Sequence, residues 1–163
     1  MTLIWIYGSG HWAYNVINRM TEKGILNGYP DGTFKPDQHI TRAEISKIMV
    51  LTLGLSGKSG TNFIDVDSSF WGYDFINVSS KYLSGYYVGG AYSFFPNDSA
   101  VREDVAVAMV RAMKLDTKEY DLSILDRFSD RGDISNDATK YIAIAVENSL
   151  MRGNAAIGSY CRH

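Results

Sequence analysis

The strongest constraint on what this chain can fold into is internal repetition. Thr41–Leu55 reads TRAEISKIMVLTLGL and Val101–Leu115 reads VREDVAVAMVRAMKL, sixty positions later. Arg42 meets Arg102, Glu44 meets Asp104, Met49 meets Met109, and the same offset pairs Phe34 with Phe94 and Pro36 with Pro96. Upstream, Trp12 pairs with Trp71 and Ile17 with Ile76 at an offset of 59, so the second copy holds one extra residue between its halves. A third, partial copy follows. Phe128-Ser129-Asp130 resembles Phe63-Ile64-Asp65, and Ala138–Leu150 matches the first helix of copy one. These correspondences give a single module over 1–163, with repeat one at 11–55, repeat two at 63–115 and a partial repeat three at 128–153. A unit of this size buries too little surface to stand alone, so the copies must pack on each other.

Each copy reads as helix, loop, helix. In copy one Trp12, Ala13, Val16, Ile17 and Met20 form one helical stripe, and Ile45, Ile48, Met49, Thr52 and Leu53 form another. Val105, Ala108, Met109, Ala112 and Met113 repeat the second spacing. Gly28-Tyr29-Pro30-Asp31-Gly32-Thr33-Phe34 is a turn-rich loop. Thr41 and Glu44 stand in the Thr-x-x-Glu pattern of a capping box, in which each side chain satisfies a backbone N–H at the helix start. The expected class is mainly α: helix–loop–helix repeats in a pseudo-threefold bundle whose third repeat is incomplete.

Composition excludes several functions. The formal net charge is −2 and no Lys/Arg block stands out, which argues against nucleic acid as a partner. No apolar run reaches the ~20 residues of a membrane span. Met1–Tyr7 is apolar but too short, and lacks the basic start, for a signal peptide, so an export signal is not expected within this chain. The single cysteine, Cys161, allows no intrachain disulfide. His11, His39 and His163 show no ligand spacing, and no metal or cofactor is expected. Asp65-Val66-Asp67 opens like a calcium loop but lacks the glycine and distal glutamate. Arg131-Gly132-Asp133 reads as an ordinary turn.

The stretch HWAYNVINRMTEKGILNGYPDGTFKPDQHITRAEISKIMVLTLGL resembles an S-layer homology repeat along its whole length. The His-Trp-Ala start, the Gly-Tyr-Pro-Asp-Gly-Thr-Phe loop and the Ile-Thr-Arg-Ala-Glu helix start occur in the order of that family. The resemblance implies repeats in threes packed as a pseudo-trimer. It implies an extracellular place in the cell wall or S-layer, and non-covalent binding of secondary cell-wall polysaccharide, often through a pyruvylated sugar, without catalytic residues.

A carboxylate-bearing sugar calls for an Arg fork and backbone N–H groups at a helix start. Arg42 is the first choice, because a cation at a helix N-terminus opposes the dipole and so has another task. Its alternative is a salt bridge to a neighbouring repeat. Gly28 and Gly32 would let the backbone approach a ligand. Trp12 and Tyr29 could lie against sugar faces, with core packing as the alternative for Trp12. Asp31 is a ligand contact or a turn former, Glu44 and Thr41 are the cap, and Arg102 marks a weaker site in copy two, where Val101 replaces the capping threonine. The incomplete third repeat leaves an apolar face. It opens a second reading: a structural module that forms a homo-oligomer through that repeat without binding glycan.

Overall fold

The structure, a computed structural model, describes residues 11, 13–57, 61–117 and 119–153. Trp12, Met1–Tyr7 and Cys161 lie outside the described residues. Among the described residues the chain runs α1 Tyr14–Glu22, α2 Arg42–Leu53, α3 Tyr73–Ser79, β1 Tyr86–Val88, β2 Ala91–Ser93, α4 Arg102–Ala112 and α5 Asn136–Glu147. Single 3₁₀ turns at Leu122–Leu125 and Arg131–Asp133 precede α5. The mainly helical class expected from the periodicity is the one observed.

Local chemistry accounts for the helix ends. The Thr41 hydroxyl accepts from the Glu44 N–H, and the Glu44 carboxylate accepts from the Thr41 N–H at 2.8 Å, so α2 opens on a complete capping box. It closes on Gly54 in the left-handed region. Val101 has no side chain to offer, and α4 starts without a side-chain cap. The start of α5 is tied from another element: Glu103 on α4 accepts from the Ser135 N–H at 3.0 Å and from its hydroxyl at 2.6 Å.

The segment that replaces the Tyr-Pro-Asp-Gly loop in repeat two is not another loop. It is a β-hairpin, with Tyr87 opposite Tyr92 and their rings 5.1 Å apart edge to face. Gly89 and Gly90, both at positive φ, form its two-residue turn, a conformation that other residues rarely adopt at two successive positions.

Two apolar clusters hold the fold. One joins Ala43, Met49, Phe63, Val66, Ile76, Leu83, Phe94 and Ala108. The other joins Ala106, Val110, Leu125, Phe128, Ile134 and the α5 residues from Ala138 to Val146. Helix α4 enters both, through Ala108 on one side and Ala106 and Val110 on the other. It packs on α2 and on α5. The buried faces differ from the expected stripes. Met113 and Leu53 are exposed, as is Val16 on α1, whereas Arg42, Ala43, Ser46 and Met49 form the buried side of α2.

One close contact occurs in both later repeats. A Cβ on Gly85 would collide with the Phe63 ring, and a Cβ on Gly153 with the Phe128 ring. The lead-in phenylalanine thus lies directly under the glycine that follows the first helix, in a place only glycine leaves open.

Ile142 is fully buried in the α5 cluster. Ile142→Ala is expected to destabilise the protein by roughly 2–5 kcal/mol through lost transfer energy and cavity formation. Urea unfolding, followed by circular dichroism, should show a lower midpoint at unchanged slope.

Candidate functional site

The repeat-one loop is built by its own hydrogen bonds. Tyr29 and Gly32 close a turn with Pro30 at its second position, the Gly32 N–H donating to the Tyr29 carbonyl at 2.9 Å. The Tyr29 N–H reaches the Thr33 carbonyl at 2.8 Å, and Asp31 accepts from the Thr33 N–H at 3.0 Å and hydroxyl at 2.6 Å. Gly28 and Gly32 both take positive φ. Asp31 therefore acts as the turn former, with Lys35 at 3.1 Å as its ion partner. Lys35 also sits over the Tyr29 ring, 4.6 Å from its centroid.

This loop forms one wall of a groove of about 530 Å³. Tyr29, Pro30 and Trp71 provide its aromatic and apolar surface; Lys35, His39, Lys47 and Glu44 provide its polar groups. Glu44 is already engaged, because its carboxylate accepts from the Tyr29 hydroxyl at 3.1 Å as well as from Thr41. Burial, with the Glu44 hydrogen bond second, raises the Tyr29 pKa, so the phenol stays protonated and keeps donating. Lys47 makes no ion pair among the described residues. Trp71, 54% exposed, also lines the groove. It was not among the residues singled out from sequence, although its pairing with Trp12 at an offset of 59 was a signal that could have found it.

Arg42 is elsewhere. It is 2% exposed, and its guanidinium crosses into repeat two. Nε donates to the Phe94 carbonyl at 2.8 Å, Nη2 to the Ser84 carbonyl at 2.6 Å, and Nη1 to the Tyr86 hydroxyl at 3.3 Å and to Asp104. The rings of Tyr86 and Phe94 lie 4.9 and 4.8 Å from its Cζ. The Tyr86 hydroxyl in turn donates to Asp104 at 2.7 Å. The N–H groups at the start of α2 are also taken: Arg42 N–H by the Asp98 carbonyl at 2.9 Å, Ala43 N–H by Pro96 at 3.0 Å, Glu44 N–H by Thr41. The expected anion receptor, an Arg fork beside free helix-start amides, is therefore folded into the seam between repeats. The reason is position. The helix start that would greet a ligand faces the 96–100 segment of the next repeat, where Thr41 and Ser99 form a β-bridge.

Arg102 repeats this behaviour. Its Nη2 donates to the Arg152 carbonyl at 2.9 Å, just before Gly153, as Arg42 donates to the Ser84 carbonyl just before Gly85. Of the described residues expected to bind a ligand, Gly28 and Tyr29 line the groove and Arg42, Arg102, Asp31 and Gly32 do not; Glu44, expected as the cap, lines it as well. Asp65 and Asp67 are local tethers. Asp65 accepts from the Phe94 and Phe95 N–H groups, and Asp67 from the Ser69 N–H at 2.8 Å. Arg131 of the Arg-Gly-Asp turn pairs with Asp126.

Two outcomes follow from this chemistry. The Thr33 hydroxyl and amide, then Lys35, hold the Asp31 carboxyl down at about 2, against 3.8 ordinarily. A folded pKa below the unfolded one means the loop's gain is complete above 3.8 and is lost as pH falls through about 2. A carboxyl titration followed by NMR should give a midpoint near 2 for Asp31, moving upward in Thr33→Val. For the seam, Arg42→Ala takes the charge partner from Asp104 and the guanidinium donors from two carbonyls, and should cost on the order of 3 kcal/mol in urea unfolding. Arg42→Lys keeps the charge but not the fork and should recover only part of the loss.

Comparison with known proteins shows what the chain is similar to. The family model of the S-layer homology domain matches residues 8–45. The chain is 32% identical, over 148 residues and 90% of its length, to the surface-layer 125 kDa protein of Lysinibacillus sphaericus, of which it spans 12%. It is 34% identical over 110 residues, 66% of its length, to the S-layer protein sap of Bacillus anthracis, of which it spans 13%. It is 28% identical over 146 residues, 88% of its length, to an amylopullulanase of Thermoanaerobacterium thermosulfurigenes, of which it spans 8%. The likeness thus lies in a segment shared by proteins of different kinds. With the signature loop and helix start inside the matched stretch, and S-layer proteins alike over most of its length, the chain belongs to the S-layer homology family of the bacterial cell surface.

Proposed function

We propose that this chain is a non-catalytic anchor that binds cell-wall polysaccharide, with an acidic sugar, such as a pyruvylated one, seated in the repeat-one groove. The groove itself carries the reading. An exposed Trp71 and the Tyr29 ring face a cavity large enough for one or two sugar rings, and aromatic faces suit the C–H surface of a pyranose. Lys47 and Lys35 on its wall supply charge for a carboxylate. The relatives, S-layer proteins and an enzyme among them, share the segment and not an activity, which favours attachment over chemistry. Glu44, the acidic residue on the groove wall among the described residues, is committed to the helix cap and to Tyr29, so no pair of free carboxylates faces a sugar there.

In this reading Arg42 positions the groove rather than touching the sugar, by fixing repeat one against repeat two. Pull-down with purified wall polysaccharide tests it. Trp71→Ala and Lys47→Gln should each weaken binding about tenfold, roughly 1.4 kcal/mol, without lowering the melting temperature. Removing the acidic substituent from the polymer should weaken the wild type and leave Lys47→Gln little changed. Equal binding by all three proteins would place the glycan somewhere else on the chain.

A further inference from the structure

We propose that Arg111 and Lys140 form an oxyanion-binding site where α4 meets α5, one that takes a phosphate or carboxylate group. The observation behind it is a pair of cations without counter-charge. Arg111, on α4, lays its guanidinium against the Tyr141 ring of α5, with Cζ 4.9 Å from the centroid. The Lys140 ammonium stands 5.8 Å from the centroid of that same ring and 5.5 Å from that of Tyr120. An aromatic ring attracts a cation through its quadrupole, so it fixes where the cation stands, but it has no net charge and leaves the cation's own uncancelled. Among the described residues neither Arg111 nor Lys140 makes an ion pair. Asp137, one turn earlier on α5, does not pair with Lys140, and Asp121, beside Tyr120, is spent on the Ser123 N–H at 2.8 Å and hydroxyl at 2.7 Å.

Arg42 shows what a settled guanidinium looks like in this fold. It too lies against two rings, but Asp104 is its counter-ion and it holds two carbonyls at 2.6 and 2.8 Å. Arg111 has the aromatic setting and lacks the rest. Its hydrogen bonds go to neutral acceptors and are long: the Ser84 hydroxyl at 3.2 Å, the Tyr141 hydroxyl at 3.4 Å and the Tyr82 carbonyl at 3.5 Å. Its Nε donates to no group among the described residues. Arg111, Lys140 and Tyr141 are half-buried and Tyr120 is exposed, so the two charges are partly withdrawn from water yet open to it. A guanidinium fork and an ammonium that border one ring are the donors an oxyanion collects. Charge-assisted bonds to it, at ordinary length, are stronger than the long neutral ones they replace. None of these residues lines the repeat-one groove, so this site is independent of the proposed glycan seat.

The test is an NMR titration of the isotope-labelled full chain at constant ionic strength, read at the Arg111 Nε–H and the Lys140 amide. The probes are inorganic phosphate, acetate and glucuronate. Saturable shifts at millimolar probe, weakened about fivefold in Arg111→Gln and in Lys140→Gln and unchanged in Lys47→Gln, support the site. Tighter binding of glucuronate than of acetate, which share a carboxylate and differ by the sugar ring, assigns it to an acidic glycan; equal binding assigns it to a free anion. Arg111 also braces α4 against α5, so if Arg111→Gln fails to fold, Lys140→Gln decides alone, because Lys140 makes no hydrogen bond among the described residues whose loss could unfold the chain. Shifts that never saturate with any probe overturn the proposal. So do shifts that persist undiminished in Lys140→Gln, or that vanish in Lys47→Gln, which would place the anion in the repeat-one groove.

Discussion

The first two repeats are organised around one buried cation. Removing a guanidinium from water is expensive, and it is tolerated only where acceptors and an opposite charge stand nearby. Arg42 meets that condition with residues that all belong to the next repeat: the Ser84 and Phe94 carbonyls, the Tyr86 hydroxyl and Asp104. The requirement acts in both directions. The hairpin must present Tyr86, the extended stretch after it must present its carbonyl, and α4 must start where Asp104 can reach across. Burial and the Asp104 hydrogen bond also push the Tyr86 phenol up to about 12, against the pull of Arg42. The neutral phenol is the form the seam favours, and its contribution persists through neutral pH and fades only as alkali approaches that value.

The same logic recurs one step on. Arg102 reaches the carbonyl before Gly153, and Glu103 beside it holds the start of α5 through Ser135. Contacts of this kind run from each repeat to its neighbour, which is how repeat arrays distribute stability. The proposed glycan groove inherits its shape from this arrangement. Tyr29 comes from the repeat-one loop and Trp71 from the approach to α3, so the groove is lined from both of the first two repeats.

Features with short reach were legible in the sequence. The Thr41–Glu44 cap and the Asp31 turn involve partners two or three residues apart, and both stand as their letters suggest. Arg42 was recognised as a residue with a special task, yet its partners lie 42 to 62 positions away, and nothing local decides between a sugar and a neighbouring repeat. The hairpin was readable in principle, since Gly89-Gly90 stands between two short runs rich in tyrosine, but the expectation of a loop inherited from repeat one masked it. The helical stripes of α2 and α4 were displaced because periodicity assumes a single buried face. Helix α4 has two, and α2 spends part of its buried face on an arginine and a serine.

Helix α4 has a mechanical consequence for a segment that holds something at a surface. Because Ala106 and Val110 sit in one cluster and Ala108 in the other, no flexible joint separates the two halves of the described structure. Tension applied at one end passes through close-packed side chains and not along a linker. The alanines matter to this, since their small size brings two layers against one helix at short range. Such a segment yields as a unit under load, in the manner of a rivet and not of a string of beads.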